Sequence, residues 1–180
     1  MKLTINTQKL LQNILLSNLT VDNSNINPFL SGIYINVSKD LISFTSSDLN
    51  ISSFIVMKDD FNVEEEGKML IKGSIFLNLL QQIKDKEILI SKVENNIVNI
   101  TTSNGSYNLN LLNEESFPTL SFDSQNWLSF ELDNDLIKKI INNVTPCVIV
   151  TNDLTRVYNG ISVKSNNDTN ELDITCTDGQ

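Results

Sequence analysis

The sequence predicts an α+β fold built from a repeated strand–helix–three-strand unit, with two units forming a complete domain over residues 1–120 and a third opening a second domain over residues 128–180. Three observations predict it. The same order of hydrophobic patterns recurs three times along the chain. Each recurrence contains a helix whose apolar residues fall at i, i+1, i+4 and i+5. The first and third units also share wording about one domain apart: Gly32-Ile33-Tyr34-Ile35-Asn36-Val37 against Gly160-Ile161-Ser162-Val163-Lys164-Ser165, and Thr45-Ser46-Ser47-Asp48 against Thr175-Cys176-Thr177-Asp178.

The first unit opens with alternating residues at Lys2–Asn6, a strand pattern, and Thr7 is the expected N-cap of a helix with apolar face Leu10, Leu11, Ile14 and Leu15. Strand patterns follow at Gly32–Val37, Leu41–Thr45 and Ser52–Met57. The second unit has a strand at Met69–Ile71 and a helix carrying Ile75, Phe76, Leu79 and Leu80. Its remaining strands are expected at Glu87–Lys92, Ile97–Thr102 and Ser106–Leu112. In the third, Ser129–Leu132 is the strand, Asp133 or Asn134 the cap, and Leu136, Ile137, Ile140 and Ile141 the helix face. A linker at about 113–127 contains Phe117-Pro118.

Each helix is apolar on one stripe and each sheet on one face, so two units close a core by packing helix against helix over paired antiparallel sheets. The third unit has no partner in the sequence. Its missing half is expected beyond residue 180 or on a second chain, and the segment after about Asn126 is expected to be protease-labile.

Composition narrows function further. The chain has no histidine, which removes Ser-His and Cys-His nucleophile systems and imidazole metal sites. Its two cysteines, Cys147 and Cys176, fit no zinc spacing and read as reduced, partly buried thiols; no cofactor or metal is expected. The pairs Asp59-Asp60 and the run Glu64-Glu65-Glu66 supply carboxylates, but in loop-like stretches without a phosphate-binding glycine loop, and a solvated acidic loop is the better reading. No uninterrupted apolar run approaches the roughly 18 residues of a membrane span, and the start lacks a secretory pattern, so a cytoplasmic protein is expected.

The charge is unevenly placed. The chain carries 13 Lys and Arg against 22 Asp and Glu, a net −9 that repels phosphate on average. Yet the expected helices Gln8–Leu19, Ser74–Ile83 and Leu136–Val144 contain no acid. Their polar faces offer Lys9, Gln12 and Asn13, then Asn78, Gln81 and Gln82, then Lys138, Lys139, Asn142 and Asn143. Such surfaces can lie beside a phosphate backbone without repelling it. A chance shortage of acids in an Asn-rich chain is the competing explanation. No arginine cluster or aromatic platform for reading bases is present, so nucleic-acid contact would be sequence-independent.

Short motifs in order along the chain resemble the bacterial sliding clamp, the β subunit of the replicative DNA polymerase. These are Met1-Lys2-Leu3-Thr4-Ile5, Pro28-Phe29-Leu30-Ser31-Gly32-Ile33, Leu41 through Asp48-Leu49, Phe117-Pro118, Thr155-Arg156-Val157-Tyr158-Asn159-Gly160-Ile161 and Thr177-Asp178-Gly179. The resemblance implies the DNA-clamp fold and a head-to-tail homodimeric ring that encircles duplex DNA. It also implies a non-catalytic role in tethering the replicative polymerase, with polymerase and clamp loader binding through short peptide motifs. By the same resemblance the DNA-facing residues are Lys9, Gln12, Asn13, Ser24, Gln81, Gln82, Lys138, Lys139, Asn142 and Asn152. The near side of the peptide pocket is Arg156, Tyr158, Thr177, Gly179 and Gln180, and Tyr107 and Asn78 are the dimer-interface candidates. Gln180 stands where the family usually has His, Ser24 where many members have Arg, and Val157 where Pro is usual. A self-sufficient β-rich interaction module derived from such a domain is the alternative reading.

Overall fold

The computed structural model describes residues 1–22, 27–94, 96–118, 120, 132–148, 160–166 and 171–177. The chain separates into two compact units, Met1–Phe122 and Asp123–Gln180.

The first unit runs β1 (Lys2–Asn6), α1 (Thr7–Asn18), β2 (Gly32–Val37), β3 (Ile42–Ser47), β4 (Ser52–Met57), β5 (Phe61–Glu65), β6 (Gly67–Lys72), α2 (Gly73–Gln82), β7 (Glu87–Glu94), β8 (Ile97–Thr102) and β9 (Gly105–Leu112). The strands form one antiparallel sheet in the order β4-β3-β2-β6-β9-β8-β7-β1-β5. Its two halves exchange their first strands: β1 pairs with β7, aligning Leu3 with Ile90, while β6 pairs with β2, aligning Ile71 with Ile33. Each half therefore borrows a strand from the other, and neither can complete its hydrogen-bond ladder alone.

One strand was hidden in the acidic stretch. Phe61–Glu65, expected as a solvated loop, is β5 and pairs with β1 at the sheet edge. Phe61 and Val63 pack on the core while Asn62, Glu64 and Glu65 face solvent. An edge strand tolerates charge on its open side, so a run of acids does not exclude it. Together β4 and β5 do what β9 does in the second half. The first part of β9 pairs with β8, and Leu111 and Leu112 cross to Ile71 and Leu70 of β6. In the first half the chain breaks between the two tasks at Lys58–Asp60, where Asp60 adopts a φ of 64°.

Helix α1 is capped by Asn6 rather than Thr7. The Asn6 side chain accepts from the Lys9 backbone N–H at 3.1 Å, because Asn6 still has the extended backbone of β1 (φ −65°, ψ 122°). Thr7 is already helical and buried, and its hydroxyl has no hydrogen-bond partner among the described residues. The buried stripes are also narrower than the i, i+1 pairing implied. Leu10 and Ile14 from α1, with Phe76 and Leu80 from α2, are at most 2% exposed, whereas Leu15 is 43% and Ile75 49% exposed. Adjacent residues on a helix are about 100° apart, so a helix resting on a sheet buries one member of such a pair fully and turns the other outward. Leu11 and Leu79 are partly buried and pack against the edge of the same core.

The sheet side of the core is Leu3, Ile5, Ile33, Ile35, Phe44, Met69, Ile71, Ile88, Ile90, Val98 and Ile100. A hydroxyl network fastens the end of α1 to the β3–β4 hairpin. Ser46 Oγ donates to the Ser17 carbonyl at 2.6 Å and meets Thr20 Oγ1 and Ser53 Oγ, each at 2.8 Å. Gly73 lets α2 begin close beside the end of α1. A Cβ there would lie 2.5 Å from Asn18 Oδ1 and 3.3 Å from Ile33.

The second unit comprises α3 (Asn134–Val144), a 3-10 turn (Thr145–Cys147) and an antiparallel hairpin of β10 (Ser162–Asn166) and β11 (Glu171–Thr175). The expected strand Ser129–Leu132 lies largely outside the described residues. Of the expected apolar face of α3, Leu136, Ile137 and Ile141 are exposed, and Val144 is the buried residue of the helix. The helix begins before Leu136, so its first turn includes Asp135, contrary to the expectation of an acid-free helix.

Candidate nucleic-acid interface

The outward faces of α1 and α2 are built by what the inward faces bury. With Leu10 and Ile14 turned to the sheet, Gln8, Lys9 and Gln12 are exposed; with Phe76 and Leu80 turned inward, Asn78, Gln81 and Gln82 are exposed. Neither helix contains an acid. Asn13 is half-buried, and its amide donates to the Lys9 carbonyl at 2.9 Å and to Met57 Sδ at 3.7 Å. Its nitrogen is thus engaged by the protein itself. Lys9 Nζ lies 4.0 Å from Asp60 Oδ2, with both side chains about half exposed; an ion pair of that kind is weak and leaves the ammonium able to meet another anion.

Two further cations follow α2 directly. Lys84 and Lys86 are exposed, while Asp85 between them accepts from the Ser103 hydroxyl at 2.8 Å and from the Ser103 backbone N–H. The acid is held by the β8–β9 turn and the lysines remain in solvent. The expectation of a helix ending at Ile83 passed over them, although the Lys-Asp-Lys run beside a helix end was the available signal.

On α3, Lys138, Lys139 and Asn142 are all exposed. Lys138 Nζ is 3.7 Å from Asp135 Oδ1 one turn earlier, both highly exposed. Ser24, Asn152, Arg156, Tyr158, Gly179 and Gln180 lie outside the described residues. Thr177 is described, two residues beyond the end of β11.

Tyr107, 42% exposed, stands on β9 where, among the described residues, Gly105–Asn110 pair with β8 alone. Among the described residues no strand pairs with the other edge of that stretch. On the same strand Asn108 Oδ1 accepts from Asn99 Nδ2 at 2.7 Å.

A cavity of about 380 Å³ in the first unit is lined by Tyr34, Phe54, Glu114, Glu115, Phe117 and neighbours, with Tyr34 and Phe117 stacked at 5.5 Å. It brings together aromatic rings, two carboxylates and the Thr45 hydroxyl. Among the described residues no group of three or more His, Cys, Asp or Glu could hold a metal ion, and no helix is long and apolar enough to cross a membrane.

Comparison with known proteins decides the family. Residues 1–121 match the family model of the DNA polymerase III beta subunit, N-terminal domain. The chain belongs to this family. The beta sliding clamp of Mycoplasma capricolum is 32% identical over 170 residues, covering 93% of this chain and 45% of the relative. That of Bacillus subtilis is 26% identical, covering 99% of this chain and 48% of the relative. The chain therefore spans about half the length of the curated relatives it matches. Among solved structures, the Bacillus subtilis DNA polymerase sliding clamp superposes with a TM-score of 0.86 at 25% identity, covering 99% of this chain and 47% of that one. The Helicobacter pylori beta clamp bound to a DNA ligase peptide gives 0.84 at 18% identity, covering 99% and 49%. The mixed helix and antiparallel-sheet architecture is thus that of the sliding-clamp members of the beta subunit family.

Proposed function

We propose that this chain is the N-terminal part of a ring-shaped processivity factor that encircles duplex DNA and tethers the replicative polymerase. The observation that carries the reading is the contrast between acid-free α1 and α2, with Lys9, Gln12, Gln81 and Gln82 outward, and a chain whose net charge is −9. A protein that slides needs a surface that neither repels the backbone nor holds it: amides and a few flexible lysines contact phosphates without reading sequence, and each contact is weak enough to exchange. Acids placed elsewhere disfavour binding of DNA to the outside. Lys138, Lys139 and Asn142 of α3, with Ser24 and Asn152, extend this DNA-facing set, and the exposed Lys84 and Lys86 join it from the α2 end.

In this reading residues 1–120 are the first clamp domain and 128–180 the first half of the second. Arg156, Tyr158, Thr177, Gly179 and Gln180 form one side of a pocket for short peptide motifs of polymerase and clamp loader; the ligase peptide bound to the Helicobacter pylori clamp supports that mode of contact. The open edge of β9 at Tyr107, with Asn78 nearby in role, meets a second subunit by continuing the sheet. The protein works in the cytoplasm, has no catalytic residue or cofactor, and leaves synthesis to its partners.

The test is primer extension on a long single-stranded circle with the cognate polymerase and loader, with and without the complete protein carrying this chain. Products lengthened by an order of magnitude or more per binding event are expected. Unchanged product length would refute the proposal.

A further inference from the structure

Tyr34, Thr45 and Phe54 lie side by side across β2, β3 and β4, Tyr34 opposite Thr45 and Thr45 opposite Phe54. Their strand neighbours Ile33, Ile35 and Phe44 are buried in the core that α1 and α2 cover. Alternation along each strand therefore puts the three on the face of the sheet that looks away from the helices. After β9 the chain returns over that face. A 3-10 turn at Glu114–Ser116, capped by Asn113 Oδ1 accepting from the Glu115 backbone N–H at 3.2 Å, leads into Phe117, whose ring stacks on Tyr34 at 5.5 Å. Here lies the cavity of about 380 Å³, to which Pro118 and Leu120 also contribute. Its charge is not balanced. Lys92 Nζ meets Glu114 Oε1 at 3.4 Å, whereas Glu115 is exposed and makes no ion pair among the described residues.

We propose that this cavity receives an arginine side chain of a partner protein. Aromatic walls, a hydroxyl and one uncompensated carboxylate select among ligands by chemistry. An anion is repelled by Glu115, and a neutral apolar group leaves that carboxylate unused. A guanidinium uses every wall: its flat face lies on an aromatic ring, its N–H groups donate to the Glu115 carboxylate and the Thr45 hydroxyl oxygen, and its apolar stem rests on Pro118 and Leu120. Being less strongly hydrated than an ammonium, it also loses less on leaving water. That the arginine belongs to a protein rests on the function proposed above: with α1 and α2 turned to DNA, the opposite face of the sheet is the one a partner reaches. The chemistry of the cavity does not rest on it.

The ¹⁵N-labelled chain is titrated at low ionic strength with the capped peptide acetyl-Gly-Arg-Gly-amide, and the amide signals of Thr45, Phe54, Glu115 and Phe117 are followed by NMR. Saturable shifts of these signals in the millimolar range are expected. The same peptide with citrulline in place of arginine keeps the shape, lacks the charge and should shift none of them. Glu115→Gln and Phe117→Leu, each with an otherwise unchanged spectrum, should weaken binding about two- to fivefold. Absent shifts, equal binding of the citrulline peptide, or an affinity that neither substitution changes would overturn the proposal. Butylguanidinium binding more tightly than the peptide would assign the cavity to a free small molecule and would overturn it as well. None of these measurements uses DNA or polymerase, so failure here and failure of the processivity role are read separately.

Discussion

Phe76→Ala and Ile75→Ala separate the buried stripe of α2 from its solvent-facing flank. Phe76 is 0% exposed in the core cluster, beneath a helix that also packs on α1, whereas Ile75, one residue earlier, is 49% exposed. Truncating a fully buried phenylalanine costs about 3–5 kcal/mol through lost transfer energy and the cavity left behind. Against a typical domain stability of about 5–15 kcal/mol, that removes roughly a fifth or more of what holds the first unit folded. For a unit of this size each kcal/mol moves the melting midpoint by roughly 3–6 °C, so a fall of about 10–25 °C is expected. Ile75→Ala removes atoms that are half solvated and opens no closed cavity, and alanine favours the helix slightly more, so its cost stays below about 1 kcal/mol. Urea unfolding followed by far-UV circular dichroism measures both. Equal losses, or a larger one for Ile75→Ala, would refute the assignment of the buried face and the reason given for it.

Gly73→Ala should cost no more than about 1 kcal/mol, because the Asn18 Oδ1 that its Cβ would meet is the tip of a side chain that can turn aside, and Gly105→Ala, with nothing within 4 Å, should stay within about 0.5 kcal/mol of the parent in the same assay. Ser46→Ala removes the hub of the Ser17–Thr20–Ser53 network and should cost about 1–3 kcal/mol, measured by thermal melting. The Lys2 ammonium is held above its ordinary value of 10.5, first by its hydrogen bond to Glu64 and then by that carboxylate's charge. A raised value in the folded state means the contribution is complete below 10.5 and is lost as pH climbs through the folded value. Lys2→Met should therefore be slightly less stable than the parent at neutral pH, and the difference should close in strongly alkaline buffer.

What the sequence made legible was local. Lys2–Asn6 alternates cleanly and is a strand with those bounds, and Leu10, Ile14, Phe76 and Leu80 are buried as their spacing requires. The exchange of β1 and β6 between the halves was not legible, because choosing a strand's partner depends on the whole sheet and leaves no trace in the periodicity of the strand itself. β5 was missed because Glu64 and Glu65 mask the alternation of Phe61 and Val63. The N-cap was placed one residue late because Asn6 and Thr7 are both good caps, and only the backbone of Asn6 distinguishes them. For the candidate interface, the shortage of acids survives in α1 and α2 but not in α3, where the helix starts early enough to include Asp135. Lys84 and Lys86 needed the position of Asp85 to be recognised.

The central claim is that the protein holds DNA by encircling it. The complete protein, loaded by its clamp loader onto nicked circular DNA and separated from free protein by gel filtration, should remain with the circle. After one cut that linearises the DNA it should slide off and elute free. Equal retention on circular and linear DNA would mean that binding is by direct contact, and would contradict the account.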